Sequence, residues 1–345
     1  MTKLVSLFNH KGGVSKTTTT FNLGWALADT GLRVLIVDGD PQCNLTGNVL
    51  GFQGRTDFQD FYDSSPNANI FAASSPAFSG GGTVISAAEI TGSLHENLFL
   101  LAGHIDLAQQ EAQLAVALST HEALPALRNL PGALGHLLRR TAESHNIDIV
   151  LLDMSPSVGA LNECLLMGSD YFIVPTAPDY FCDQAIYSLS TILPRWADAV
   201  DRFRGDDLLY PLPAAPQFIG AISQRYRPHR GRPAKAFRDW IERIKATINN
   251  QLVPALASRN MVVSRAAFEA ASSADEPYNL ANVADFNSLI GMSQEHNKPI
   301  FALSEDEIGR VGTVLENMMD SRDAFLQVFT DLAESVRQLV GLPDA

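Results

Sequence analysis

Asn9-His10-Lys11-Gly12-Gly13-Val14-Ser15-Lys16-Thr17-Thr18 follows a short apolar run, Leu4-Val5-Ser6-Leu7-Phe8, and precedes a helical pattern of Phe21, Trp25, Leu27 and Ala28. Gly31 stands where a helix would close. Strand, small-residue loop, Lys-Thr and helix, in that order, predict a phosphate-binding loop. Gly12 and Gly13 let backbone N–H groups approach phosphate oxygens, and the helix N-terminus adds partial positive charge. In this reading Val14, Ser15 and Thr18 complete the loop. Lys16 reaches the terminal phosphates and the Thr17 hydroxyl ligates Mg²⁺. A glycine turn beside a surface lysine is the bland alternative, and it leaves the flanking strand and helix unexplained.

The general phosphate-loop pattern, Gly-x-x-x-x-Gly-Lys-Thr, would need glycines where His10 and Ser15 stand. Lys11-Gly12-Gly13 ahead of Lys16-Thr17-Thr18 instead resembles the deviant Walker A loop of the ParA/MinD-like ATPases, Lys-Gly-Gly-x-Gly-Lys-Thr-Thr/Ser. The resemblance is nearest to the ParA-type partitioning ATPases. It implies that Lys11 reaches across a nucleotide-sandwich homodimer to the partner's ATP. Ser15 departs from the family glycine, and a side chain there bears on loop torsions and hydrolysis rate more than on binding.

Arg33-Val34-Leu35-Ile36-Val37 predicts a second buried strand, ending in Asp38-Gly39-Asp40-Pro41-Gln42-Cys43-Asn44. Carboxylates at a strand's C-terminal end are where an α/β sheet places ligand chemistry. The stretch resembles the family's Asp-x-Asp-Pro-Gln-x-Asn motif, which implies that Asp40 orients the attacking water and Asp38 supports the metal. Ile147-Asp148-Ile149-Val150-Leu151-Leu152-Asp153 is similar to a Walker B strand, with Asp153 holding Mg²⁺ through water. Met154-Ser155-Pro156-Ser157 resembles the switch segment that follows it. A fourth strand, Tyr171 to Pro175, leads into Thr176-Ala177-Pro178-Asp179. By resemblance Pro178 lies near the base, and Gln224 stands where the family often has an adenine-contacting Asn.

The 345 residues are 46% hydrophobic and 18% charged, an ordinary globular mix. Apolar runs are too short for a transmembrane helix, and the chain leads straight into the first strand, so no signal peptide is expected. Cys43, Cys164 and Cys182 make no metal-binding spacing and fit a reducing cytoplasm. Cys43 reads as a small buried filler, with oxidation sensitivity as the alternative.

Net charge is −13, yet residues 225–245 carry a local +6, leaving −19 elsewhere. Arg225, Arg227, Arg230 and Arg232 fall on a Pro/Gly-interrupted segment. Lys235, Arg238, Arg243 and Lys245 continue into a helix whose buried stripe is Phe237, Trp240, Ile241 and Ile244. The first four with Lys235 and Arg238 suit salt-sensitive, sequence-independent contact with DNA phosphates. Pairing with acids of this chain or of a partner is the competing reading.

Residues 51–96 read as an irregular insertion with a mobile tip at Ser79-Gly80-Gly81-Gly82, either plain surface or partner recognition. Asn97–Leu101 reads as a strand and Ile105–Leu118 as an amphipathic helix. Residues 225–345 read as a mainly helical C-terminal part. The apolar stripe from Phe325 to Val340 is too acidic on its polar face for a membrane-surface helix, so a packed helix is expected and no membrane contact.

These readings predict one domain over 1–345: α/β, doubly wound, with a mainly parallel sheet of the P-loop NTPase (SIMIBI-like) type and helical C-terminal decorations. The resemblance implies slow, partner-stimulated ATP hydrolysis with Mg²⁺, a homodimer formed on ATP, and a cytoplasmic location, nucleoid-associated if DNA binding holds. The expected partners are nonspecific DNA and a small ParB-like or adaptor protein. A nucleotide-gated switch that recruits a protein without DNA is the alternative. Dethiobiotin synthetase and the nitrogenase iron protein share this loop, but the iron protein's cluster cysteines have no evident counterpart beyond Cys164.

Overall fold

The computed structural model describes the chain except Met1 and residues 52–53, 80–83, 121–126, 227, 230–231, 234, 273–275 and 344–345. At positions 55, 228–229, 232–233 and 236 only the backbone is described.

The strands are β1 (Lys3–Leu7), β2 (Val34–Gly39), β3 (Thr91–Gly92), β4 (Leu98–Leu101), β5 (Ile149–Met154), β6 (Tyr171–Thr176), β7 (Gln217–Tyr226), β8 (Pro228–His229), β9 (Arg232–Pro233) and β10 (Asn279–Ala284), the apolar runs supplying the central ones. Eight of them make one sheet in the order β10-β7-β6-β1-β5-β2-β4-β3, parallel except for β3, while β8 and β9 pair as a small antiparallel ribbon. Helices cover both faces of a parallel sheet, so its central strands bury both sides and need no apolar–polar alternation. Every residue of β2 and of β5 is accordingly buried.

Strand order decides where the chemistry collects. β1 lies between β5 and β6, and β5 lies between β1 and β2. Register pairs Asp153 of β5 with both Leu7 of β1 and Asp38 of β2. Three C-terminal strand ends therefore meet on one rung, each about 4.8 Å from the next.

The helix Lys16–Asp29 leaves the loop after β1 and lies close on the sheet. A Cβ on Gly24 would stand 2.7 Å from Ile36 Cγ2, so only glycine permits that approach. The long helix Gly312–Leu339 packs against Lys16–Asp29. Its Phe325, Phe329, Leu332, Ala333 and Val336 are buried, so the expected apolar stripe belongs to the core. Phe329 stacks on Phe286 and tilts against Phe301. Among the described residues no helix is long and apolar enough to cross a membrane.

One expectation needs correction. Residues 51–96 are not irregular throughout: helices Arg55–Ser64 and Ile70–Phe78 and strand β3 lie within them. Asn69 caps the second helix, its side chain accepting from the Ala72 amide (2.8 Å), and this local capping outweighs the Ser/Pro-rich composition. The expected tip at Gly80-Gly81-Gly82 lies outside the described residues. Among the helices of the C-terminal part, β10 adds a parallel edge to β7.

Candidate functional site

The loop between β1 and Lys16 takes its shape from backbone torsions. Gly13 has φ +74° and Ser15 has φ +58°, both left-handed. Ser15 thus adopts the conformation a glycine would, at a cost of about 1–2 kcal/mol for an L-residue. Its carbonyl accepts from both the amide (2.9 Å) and the hydroxyl (2.8 Å) of Thr19, which fixes the first helical turn.

Lys16 is buried, and its Nζ donates to the Asn9 carbonyl (2.9 Å). Burial lowers its pKa, opposed by the charges of Asp153 and Asp40. Thr17 Oγ1 donates to Asp153 Oδ2 at 2.6 Å, while Asp153 Oδ1 is buried with no partner. Burial, reinforced by the charge of Asp38, pushes the Asp153 carboxyl up to about 8. Asp38 is raised to about 6, again chiefly by burial. It spends its own oxygens on the Thr46 amide (2.8 Å), the Thr46 hydroxyl (2.7 Å) and the Asp40 amide (3.2 Å). Asp38 thereby braces Asp40 from behind. Asp40 Oδ1 accepts from the Gln42 amide at 2.9 Å and sets the turn into the helix Asn44–Leu50.

A cleft of about 340 Å³ opens above these groups, lined among others by Lys16, Thr17, Asp40, Asn48, Arg225 and Gln294. An orphaned carboxylate oxygen beside a threonine hydroxyl, in a carboxyl cluster whose burial favours protons over charge, fits a hard divalent cation with oxygen ligands. The donor set therefore suits Mg²⁺ held by Thr17 and Asp153, next to phosphates on Lys16 and the loop amides.

The remaining expected site residues fall around this centre. Lys11 turns away from the cleft: its Nζ pairs with Asp179 Oδ2 at 2.8 Å. Asp179 also caps the helix Tyr180–Val200, its Oδ1 accepting from the Cys182 amide (2.8 Å). Pro178 sits beside Asp179 and does not line the cleft. Gln224 is buried at the end of β7, its Oε1 accepting from Thr19 Oγ1 (2.9 Å), and its Nε2 has no partner. Asn9 and Thr46 escaped the sequence reading. Asn9 Oδ1 accepts from the Lys11 amide and its Nδ2 donates to the Pro175 carbonyl, tying the loop to β6. Their signal was only proximity to the motifs. Asn162 is a third, donating to the Ser155 and Ser157 carbonyls and so pinning the segment after β5.

The basic segment divides. Arg225 Nη1 donates to the Gly13 carbonyl at 2.6 Å, so this residue lies on the phosphate loop. Arg243 pairs with Asp183, and Lys245 with Glu276 and Glu242, so these two are answered by acids of the same chain. Lys235 and Arg238 are exposed on the helix Lys235–Thr247. Arg227 and Arg230 lie outside the described residues, and of Arg232 only the backbone, in β9, is described.

A parallel sheet with this loop at its switch point, a lysine and threonine opening the next helix, and acids ending two neighbouring strands define a P-loop nucleotide-binding protein. The family described as "AAA domain" matches residues 2–202. The sporulation initiation inhibitor protein Soj of Bacillus subtilis is 32% identical over 196 residues, 56% of this chain and 64% of that protein. The chromosome-partitioning ATPase Soj of Thermus thermophilus is 29% identical over 191 residues, 55% of this chain and 60% of its own length. An uncharacterised protein of Methanocaldococcus jannaschii is 27% identical over 266 residues, 76% of this chain and 87% of that one. The chain thus spans less than two thirds of either Soj protein. In fold, it resembles MinD of Pyrococcus horikoshii complexed with Mg-ADP (TM-score 0.54, 20% identity, 99% of this chain and 98% of that one). It likewise resembles a Cyanothece McdA variant in complex with ATP (TM-score 0.60, 14% identity, 100% and 98%). The chain belongs to this AAA-domain family of ParA/MinD-type P-loop ATPases.

Proposed function

We propose that this chain is a Mg²⁺-dependent ATPase switch that dimerises on ATP and, in that state, binds DNA nonspecifically to partition or position a cargo. The observation that carries the reading is the pairing of Thr17 with Asp153, whose second oxygen is buried and unanswered, at the mouth of the Lys16 loop. Gly12, Gly13, Val14, Ser15 and Thr18 hold the phosphates through backbone amides, and Lys16 neutralises the terminal phosphates. Thr17 and Asp153 hold the metal, with Asp38 bracing the cluster. Bound Mg²⁺ would supply charge neutralisation on the transferring phosphoryl group. Asp40, on the cleft wall, orients the attacking water. Lys11 acts on the partner's nucleotide after leaving Asp179. Gln224 and Pro178 flank the base.

The DNA-binding part rests on Arg227, Arg230, Arg232, Lys235 and Arg238, with Lys235 and Arg238 exposed on one helix. A small ParB-like or adaptor protein would stimulate hydrolysis. One observation favours the second reading, a switch that recruits a protein instead. Arg243 and Lys245 are already paired with Asp183 and Glu276, so part of the basic segment is neutralised internally. Phosphate release with and without Mg²⁺, in wild type and Lys16→Ala, tests the enzymatic part. Turnover that needs both Mg²⁺ and Lys16 is expected. Turnover indifferent to either would refute it.

A further inference from the structure

Arg225 lies one residue past Gln224, at the C-terminal end of β7. Three features set it apart from the basic residues that follow. First, the β7–β10 pairing slips there: Val283 faces Gln224 and Ala284 faces Tyr226, so Arg225 is the extra residue of a bulge. Second, its backbone is left-handed, with φ +60°, a conformation that costs a bulky residue strain. Bulges beside sites serve to re-aim side chains. Third, the re-aimed guanidinium reaches the phosphate loop, where Nη1 donates to the Gly13 carbonyl. The same side chain lines the cleft together with Lys16, Thr17 and Asp40. With Gln224 bonded to Thr19, the end of β7 thus holds both the loop and the first turn of its helix.

We propose that Arg225 is a polyphosphate-contacting residue of the nucleotide site, and that through it nucleotide binding controls the basic segment that begins two residues later. The proposal rests on the ATPase reading above and departs from the expectation that Arg225 touches DNA. Asp40 lines the cleft and acts on Lys16, so part of the site's positive charge is offset before any phosphate arrives. A guanidinium at the rim adds a fixed cation with several N–H donors, the geometry that suits phosphate oxygens. Arg225 stands one residue before the end of β7, at the start of the basic segment, so exchanging Gly13 for phosphate as its partner would act at that segment's root. ATP and DNA would then strengthen each other's binding by one common factor.

The test is titration of a fluorescent ATP analogue into the full chain with Mg²⁺ and no DNA, in wild type, Arg225→Ala, Arg225→Lys, Arg140→Ala and Lys16→Ala. The expected result is affinity lowered about tenfold or more in Arg225→Ala, the loss of one charge-assisted hydrogen bond. Arg225→Lys should recover part of it, and Arg140→Ala, an exposed arginine paired with Glu143, should match wild type. In a second arm, duplex DNA should improve ATP affinity in wild type and fail to do so in Arg225→Ala. Unchanged ATP affinity in Arg225→Ala, with weaker DNA binding in every nucleotide state, would overturn the proposal and make Arg225 a plain DNA contact. Wild-type affinity insensitive to Lys16→Ala would instead overturn the ATPase reading itself. If Arg225→Ala fails to fold, Arg225→Gln keeps a donor for Gly13 without the charge, and the same loss of affinity is expected from it.

Discussion

Asp179→Asn should strengthen ATP-dependent dimerisation. Lys11 Nζ lies 2.8 Å from Asp179 Oδ2, with the two side chains 20% and 43% exposed. If Lys11 acts on the partner's nucleotide, each protomer must break this pair before the dimer closes. The gross Coulomb attraction at about 4 Å and a near-surface effective dielectric is about 4 kcal/mol, but solvent screening and side-chain entropy leave about 0.5–1 kcal/mol net. Two protomers together give about 1–2 kcal/mol, or about 5–30-fold in the dimer dissociation constant. Asparagine removes the charge and keeps an Oδ1 acceptor for the Cys182 amide, so the helix cap survives. Asp179→Ala loses cap and pair together and should also cost about 1 kcal/mol of stability. Sedimentation equilibrium with Mg-ATP, in an Asp40→Ala background that suppresses turnover, measures the shift. A dimer constant in Asp179→Asn equal to or weaker than wild type, or dimerisation unaffected by Lys11→Ala, would refute the reasoning.

Three further outcomes follow from the geometry. Asp153, raised to about 8 by burial, stays protonated in the folded state over a range where the unfolded chain has lost the proton. Its stabilising contribution is therefore full below about pH 4 and is lost as pH rises toward 8. Thermal melts of Asp153→Asn without nucleotide should fall less steeply than wild type between pH 6 and 8.5, and equal slopes would contradict this. Ser15→Gly relieves a left-handed serine at about 1–2 kcal/mol and pays about 0.5–1 kcal/mol of added backbone freedom, so urea unfolding should show a gain of up to about 1.5 kcal/mol. Gly24→Val should destabilise by about 1–3 kcal/mol or more, because its Cβ would press on Ile36 of the sheet, and a melt unchanged from wild type would refute that packing.

The first 50 residues were legible because phosphate chemistry confines its residue types to one loop and the two strand ends that follow. β2 and β5 announced themselves as unbroken apolar runs, as strands buried on both faces must. What sequence could not supply was strand order. Asp38 and Asp153 are 115 positions apart, and only the β2–β5 register shows them on the same rung. β10 escaped notice because Asn279-Leu280-Ala281-Asn282-Val283-Ala284 mixes small and polar residues, as a strand bonded on one side tolerates. The first half of the helix Gly312–Leu339 is largely exposed, so no apolar stripe marked it before Phe325. Arg225 looked like one of a run of arginines. Its bulge depends on pairing with β10, which lies more than 50 residues away, and no local pattern encodes it.

Duplex-DNA binding with Mg-ATP, ADP and no nucleotide, at about 0.15 M salt where exposed charges are well screened, tests the central claim most directly. The account predicts binding with ATP alone, weakening steeply with salt, and lost when Arg230, Arg232, Lys235 and Arg238 are changed together to Ala. No binding in any nucleotide state, with ATP turnover intact, would contradict it and make the basic segment a protein-docking surface.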